Sequence, residues 1–389
     1  MPGGSSRGRS RQPCLQRRAA IVLLAASMSP LTVAIAGDNL PEAANVSTGW
    51  DMSNFLLRGN GVLPVPIFIT EPAIGYGLGV ALLHFSLPDN ADENQPASAG
   101  DKTSRPNITG IAGFATGTHS WGAAALHTHS WDDDRIRYTG VIGKINLHLT
   151  YYGFQQQARS YQLDGFAMFH ELLFRIGDSR WYVGPRYTFF DSHTRFDFGV
   201  PTDHGNFVAE QRVAKGGLVT SYDSRDNNFY PSSGTYAQFV AEFARGGLGS
   251  TSDFEVQSAK AFHWMPIGER WVLGLRVDSG FSQGDIPFFA QPFVILRGVP
   301  AAKYQDRNQL TTEAELRWNA TPDWSVLGFA GVGRAYGNLH SFSDAPVAYG
   351  FGAGFRYLLV RKIGLTMGID VARGPGQNAF YIQIGSPWR

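Results

Sequence analysis

The sequence predicts an all-β fold, a single antiparallel transmembrane β-barrel of about sixteen strands behind a cleaved signal peptide. Three observations predict it. In 308–319 the residues Glu313, Glu315 and Arg317 alternate with Ala314, Leu316 and Trp318, so one strand face is charged and the other apolar. Glycine supplies 46 of 389 residues and aromatics 13%, glycine being well above its usual ~7%. No helical apolar period persists, and 43% apolar content with slightly negative mean hydropathy excludes a bundle of apolar spans of ~20 residues each. Strands apolar on one face only average to such a value.

Residues 1–36 read as a secretory signal: Arg7, Arg9, Arg11, Arg17 and Arg18 without an acid, an apolar run from Ala19 to Ala26, and a small-x-small site at Ala34-Ile35-Ala36. Ser27, Ser29 and Pro30 stop the run well short of about 18 apolar residues, which argues against an anchor. Without those five Arg, 33 basic residues become 28 against 32 acidic ones, so +1 becomes −4. A mildly acidic exported chain points away from nucleic acid. The single cysteine, Cys14, leaves with the signal, so no disulfide framework is expected.

Residues 37–61 are polar and irregular, a short periplasmic leader, and 62–389 form the barrel. The stretch from Leu63 to Leu87 reads as a strand pair broken near Glu71-Pro72, and Pro64 and Pro66 suit an edge because they cannot donate to a ladder. Further strands are expected near 106–117, 119–132, 135–149, 161–176, 180–196, 209–222, 234–246, 252–264, 270–281, 308–319, 323–335, 346–359, 362–373 and 378–388. On this register Leu275 and Leu365 face lipid, whereas Gly274 and Thr366 face the lumen. Aromatics near strand ends (Trp121, Trp131, Tyr151, Tyr152, Trp181, Tyr230, Trp264, Trp271, Trp324, Trp388) are candidates for the interfacial girdles. Tight connections at 177–179 and 265–269 contrast with long ones at 197–208 and 282–307, as short periplasmic turns do with outer loops.

Four motifs carry a resemblance. SYDSRDNNFYPSSGTY (221–236), LRGVPAAKYQDRN, LTTEAELRW and the terminal FYIQIGSPW resemble, in that order, the barrel of the BamA/TamA bacterial surface-antigen superfamily, most strongly over 213–389. The resemblance implies an outer-membrane barrel assisting insertion or translocation of protein or lipid. A plugged pore or structural barrel is the alternative, and an outer-membrane lipid enzyme a third reading. It also implies outer-membrane lipids and the barrel assembly machinery as partners, with a separate periplasmic partner in place of POTRA domains, for which 37–61 is too short. Asp223, Arg225, Asp226, Pro231 and Gly234 form the periplasmic turn motif, a run of turn formers. Phe380, Ile382, Ile384, Gly385 and Trp388 resemble the C-terminal assembly signal, with Arg389 an addition after the aromatic. Arg297 and Gly298 resemble a loop tip that folds into the lumen and pairs its Arg with an acid. Val299 replaces the family's aromatic, and Gly331 stands where many relatives carry Asp, so Glu313 or Glu315 is expected to supply the charge.

No enzymatic motif or cofactor fingerprint is present. His119, His127, His129 and His148 near Asp132, Asp133 and Asp134 invite a metal, but no second ligand pair follows at zinc spacing. The group reads instead as a polar lumen face ending in an acidic turn. The expectation is therefore a non-enzyme without cofactor or metal.

Overall fold

A computed structural model describes residues 50–57, 61–69, 75–86, 106–152, 158–196, 207–300 and 302–388. The expected signal peptide and most of the leader lie outside the described residues, as does Arg389. Among the described residues sixteen antiparallel strands run in sequence order through one sheet, curled into a nearly closed barrel. They are β1 Val62–Ile69, β2 Gly77–Ser86, β3 Asn107–Thr116, β4 Trp121–Trp131, β5 Ile136–Tyr152, β6 Ala158–Arg175, β7 Trp181–Phe196 and β8 Phe207–Asp223. The second half is β9 Gly234–Ala244, β10 Phe254–Ile267, β11 Trp271–Gly284, β12 Asn308–Asn319, β13 Trp324–Tyr336, β14 Ala348–Val360, β15 Leu365–Gly374 and β16 Gln377–Ile384. Every expected strand is present. No described helix is long and apolar enough to cross a membrane; a barrel crosses with strands, every backbone group pairing with a neighbour.

Alternation assigns the faces. On β12, Glu313, Glu315 and Arg317 are buried inside while Leu316 and Trp318 lie on the outer surface. On β11, Trp271, Leu275 and Val277 face out and Val272 and Arg276 face in. Trp121, Trp131, Trp181, Trp271 and Trp324 are exposed on the outer wall as a girdle requires. Trp264, Tyr230 and Trp388 correct that expectation: Trp264 and Trp388 pack together with Tyr236, Phe262 and Val272 inside the barrel, and Tyr230 lies under the Arg317 guanidinium, 3.8 Å from carbon to ring centre. The side chains of Tyr151 and Tyr152 lie outside the described residues. A charge at Leu275 enters lipid, so Leu275→Arg should cost about 2–4 kcal/mol near the midplane, read as a lower temperature for the folded-to-unfolded band shift in semi-native gels. Leu365 does not belong to that class. A bulge at the β14–β15 pairing leaves it 1% exposed in a cluster with Leu56, Leu63, Phe229 and Val360.

His127 and His129 overturn the lumen reading of β4. They share parity with Trp121 and Trp131 on the outer face, whereas Gly122, Thr128 and Ser130 point inward. Among the described residues no cluster of three or more His, Cys, Asp or Glu is arranged to hold a metal.

Both ends of the described chain and most of the short turns lie at one end, the periplasmic end by the usual barrel asymmetry. There the chain folds inward three times. Helix α1 (Ser53–Leu57) seats Leu56 in the cluster just named, tied by Met52 N donating to Leu359 O (3.0 Å) and Lys362 N to Ser53 Oγ (3.1 Å). The β8–β9 connection adds Phe229 to the same cluster. The third is the tail after β16. Gly385 adopts φ 70°, a left-handed turn that glycine makes at no steric cost, and this aims Ser386 and Trp388 into the lumen.

Candidate functional site: a loop seated in the lumen

The β11–β12 connection, 285–307, leaves the barrel's far end and returns inside it. Ile286 packs on Val213, Ala244 and Phe254, and Phe289 meets Phe190 edge-on at 5.8 Å, so the loop's first part crosses toward β7. Its deeper part is pinned by Val294 N donating to Tyr304 O (2.9 Å) and buries Val294, Leu296 and Val299 against Ala335 and Ala348. The inner wall is cut away to receive it. A Cβ at Gly331 would sit 2.6 Å from Leu296 Cδ2, and one at Gly350 would sit 2.1 Å from the Arg297 carbonyl oxygen. Gly331 is therefore a packing position; a carboxylate there would displace the loop.

Arg297 ends up where four side chains converge. Its Nε donates to Glu313 Oε1 at 2.9 Å, and its Nη2 contacts the same oxygen. Nη2 also lies 2.9 Å from Glu315 Oε2, and Nη1 donates to Asp370 Oδ2 at 3.0 Å. The guanidinium carbon stands 3.4 Å from the centre of the Phe329 ring, a cation–π contact made in a water-poor place. Gly298 N donates to Tyr381 Oη (2.9 Å), which ties the loop tip to β16. The cluster extends through Arg356, fully buried, which grips Asp370 with two bonds of 2.6 and 2.9 Å. Arg276 contacts Asp278 and reaches Glu313 Oε2 at 3.5 Å. Trp388 Nε1 donates to Glu313 Oε1 at 3.2 Å. Three guanidinium groups (Arg276, Arg297, Arg356) thus face four carboxylates (Asp278, Glu313, Glu315, Asp370).

Asp370, Arg356, Phe329 and Tyr381 were not among the residues singled out by sequence. Asp370 and Arg356 each carry a signal, a charge alternating with Ile369 and Val371 or with Phe355 and Tyr357 on an inward parity; Phe329 and Tyr381 carry none.

The turn motif also sits inside the barrel. Asp223 binds Arg225 through bonds of 2.8 and 2.9 Å, and Asp226 Oδ1 accepts from Asn227 N (2.8 Å) and Ser232 N (2.9 Å). The Pro231 carbonyl accepts from Arg317 Nη2 at 2.8 Å. At Gly234 (φ 98°) a Cβ would lie 2.2 Å from Ser224 O. The C-terminal residues divide: Phe380 faces out, half-exposed, Ile384 joins the periplasmic cluster, and Trp388 is 2% exposed in the lumen.

An outward apolar wall, a charged lumen and an inward-folded loop held by a buried Arg define an outer-membrane β-barrel of bacteria. Residues 209–386 match the Omp85 superfamily domain. The fold is similar to BamA from Haemophilus ducreyi lacking POTRA domains 1–3 (TM-score 0.52, 11% identity, covering 83% of this chain and 68% of that one). It is similar as well to CdiB from Acinetobacter baumannii (TM-score 0.52, 9% identity, 82% and 59%) and CdiB from Escherichia coli (0.50, 13%, 82% and 61%). The chain spans less than two thirds of either CdiB. No curated protein matches its sequence. Among the described residues there is no POTRA-like domain.

Proposed function

We propose that this barrel assists insertion or translocation of protein or lipid at the outer membrane, acting through its seam and without enzymatic chemistry or a cofactor. The observation that carries the reading is the edge of β1. Antiparallel pairs alternate between those that exchange two hydrogen bonds and those that exchange none. The β1–β2 pairing is unbroken from Val62↔His84 to Ile69↔Gly77, so Pro64 and Pro66, which cannot donate, occupy the second kind. Their nitrogens therefore turn away from β2, toward β16. Among the described residues no ladder joins β1 to β16, and Leu63 and Val65 of β1 and Ile384 of β16 pack into the same apolar cluster. A donor-poor edge closes weakly, and a weakly closed seam gives a hydrophobic substrate a lateral route into lipid. The seated loop braces the lumen beside that seam, since Gly298 is tied to Tyr381 on β16. Partners in this reading are outer-membrane lipids, the barrel assembly machinery during biogenesis, and a separate periplasmic protein that receives substrate.

Pro64→Val with Pro66→Val restores two donors to the seam edge. The variant should raise the temperature of the gel band shift and slow insertion of a test barrel into proteoliposomes severalfold. Unchanged insertion by a variant with a tightened seam would leave a plugged, structural barrel as the better reading.

A further inference from the structure

We propose a phospholipid-binding site on the outer wall of β2–β6, with the headgroup phosphate at His127 and His170 and an acyl chain in the hollow above them. A lipid-facing wall should be apolar between its girdles, but here a polar row crosses it. The pairings His84↔Thr109, Thr109↔His127, His127↔Gly140 and Gly140↔His170 put these side chains in one continuous row across five strands. His127 stands four residues above the rim residue Trp131 on the same face of β4, on the order of 10 Å in from the periplasmic rim at the usual strand rise and barrel tilt.

The row is built and only half satisfied. Thr109 Oγ1 lies 2.9 Å from His127 Nδ1, and Tyr138 Oη lies 2.8 Å from His170 Nδ1. Tyr138 reaches its histidine by folding over Gly140, where a Cβ would sit 2.3 Å from the phenol oxygen. Where each hydroxyl donates to Nδ1 the imidazole proton lies on Nε2, the tautomer that a phosphate acceptor selects. Neither Nε2 has a partner among the described residues. His84 differs: its Nδ1 lies 3.3 Å from the Gly61 carbonyl, and it belongs to the row without serving the site. An unsatisfied N–H facing hydrocarbon costs several kcal/mol. Hydrocarbon at that depth offers no acceptor, so the acceptor the row selects is a phospholipid phosphate drawn in along this wall from the periplasmic rim.

The second observation lies on the membrane-centre side of the row. There the outer wall carries a hollow of about 500 Å³, floored by Gly113, Ala123 and Ala125, walled by Leu82, Ile111 and Ile142, and edged by Lys144, which is ion-paired with Asp164 at 3.1 Å. Polar donors at the periplasmic side and a small-residue trough running toward the midplane match a phosphate and its chain in orientation and order. Tyr138 stands between the histidines, 6.3 Å from the His127 ring and 6.1 Å from the His170 ring. A phosphodiester over the phenol then meets an imidazole N–H on either side.

Native mass spectrometry of the purified barrel, titrated with phosphatidylglycerol, tests the site. One lipid should survive collision energies that strip the rest, and diacylglycerol, which lacks the phosphate, should not. His127→Phe with His170→Phe puts apolar rings on a lipid-facing wall, so it should fold, and its affinity should fall at least tenfold. Ala123→Trp fills the trough two outward positions away from His127 and should do the same; the gel band shift verifies folding of each. The proposal is overturned if both variants hold phosphatidylglycerol as the parent does, if diacylglycerol is held equally, or if millimolar inorganic phosphate displaces the lipid, which would make the site one for a free anion.

Discussion

Arg297→Ala should leave a folded barrel whose 285–307 loop no longer stays in the lumen. The substitution removes one of three guanidinium groups from a cluster of four carboxylates in which Glu313, Glu315 and Asp370 are all buried. Losing one member of a buried ion pair costs about 3–5 kcal/mol, because the partner charge is left uncompensated. Arg276 and Arg356 cannot take over, since each is already engaged by Asp278 or Asp370. The loop relaxes by lifting, which lets water enter from the open end to the stranded carboxylates. The expected readouts are a lower band-shift temperature and new protease cleavage within 285–307 in intact cells. Adding Glu313→Gln to Arg297→Ala removes one stranded charge and should recover part of the loss, because coupled sites are not additive. A parent-like cleavage pattern and transition in Arg297→Ala would mean that the cluster is a passenger of the loop's apolar packing.

How far the sequence foretells this arrangement depends on which interaction decided each feature. Alternation decides the strands, so β11 and β12 were legible residue by residue, and Glu313 and Glu315 could be placed inside from their parity alone. Parity does not say which face is the lumen when both carry polar groups. On β4 the acidic turn that follows suggests a lumen face for the histidines, while the same parity places Trp121 and Trp131 in the girdle; the two readings exclude each other. Asp370 and Phe329 lie on β15 and β13, and their meeting at Arg297 depends on how deep the loop descends, which the glycine-lined wall sets rather than any local pattern. Leu365 was misplaced because a bulge in β14 changes what covers the start of β15. Trp388 was misplaced because Gly385 ends the strand; continued alternation would have kept the indole on the outer wall.

Trp388 supplies the second large effect, and it separates a role in the folded barrel from a role in assembly. The indole is almost wholly buried among Tyr236, Phe262, Trp264 and Val272, and its N–H meets Glu313, the acid that also holds Arg297. Trp388→Ala should cost about 3–5 kcal/mol, as other buried Trp truncations do. Trp388→Phe keeps an aromatic near the terminus but strips a donor from a buried carboxylate, a loss of about 1–3 kcal/mol. A terminal recognition signal alone would predict neither: Trp388→Phe would be silent, and Trp388→Ala would lower yield without weakening the molecules that fold. The decisive variant leaves the C-terminus untouched. A Cβ at Gly274 would sit 2.6 Å from Trp388 Cζ3, so Gly274→Val should push the ring from its place and reproduce the instability of Trp388→Ala, measured by urea unfolding in liposomes. If Gly274→Val unfolds with the parent, the indole does not brace the lumen, and its place at the end of the chain belongs to assembly.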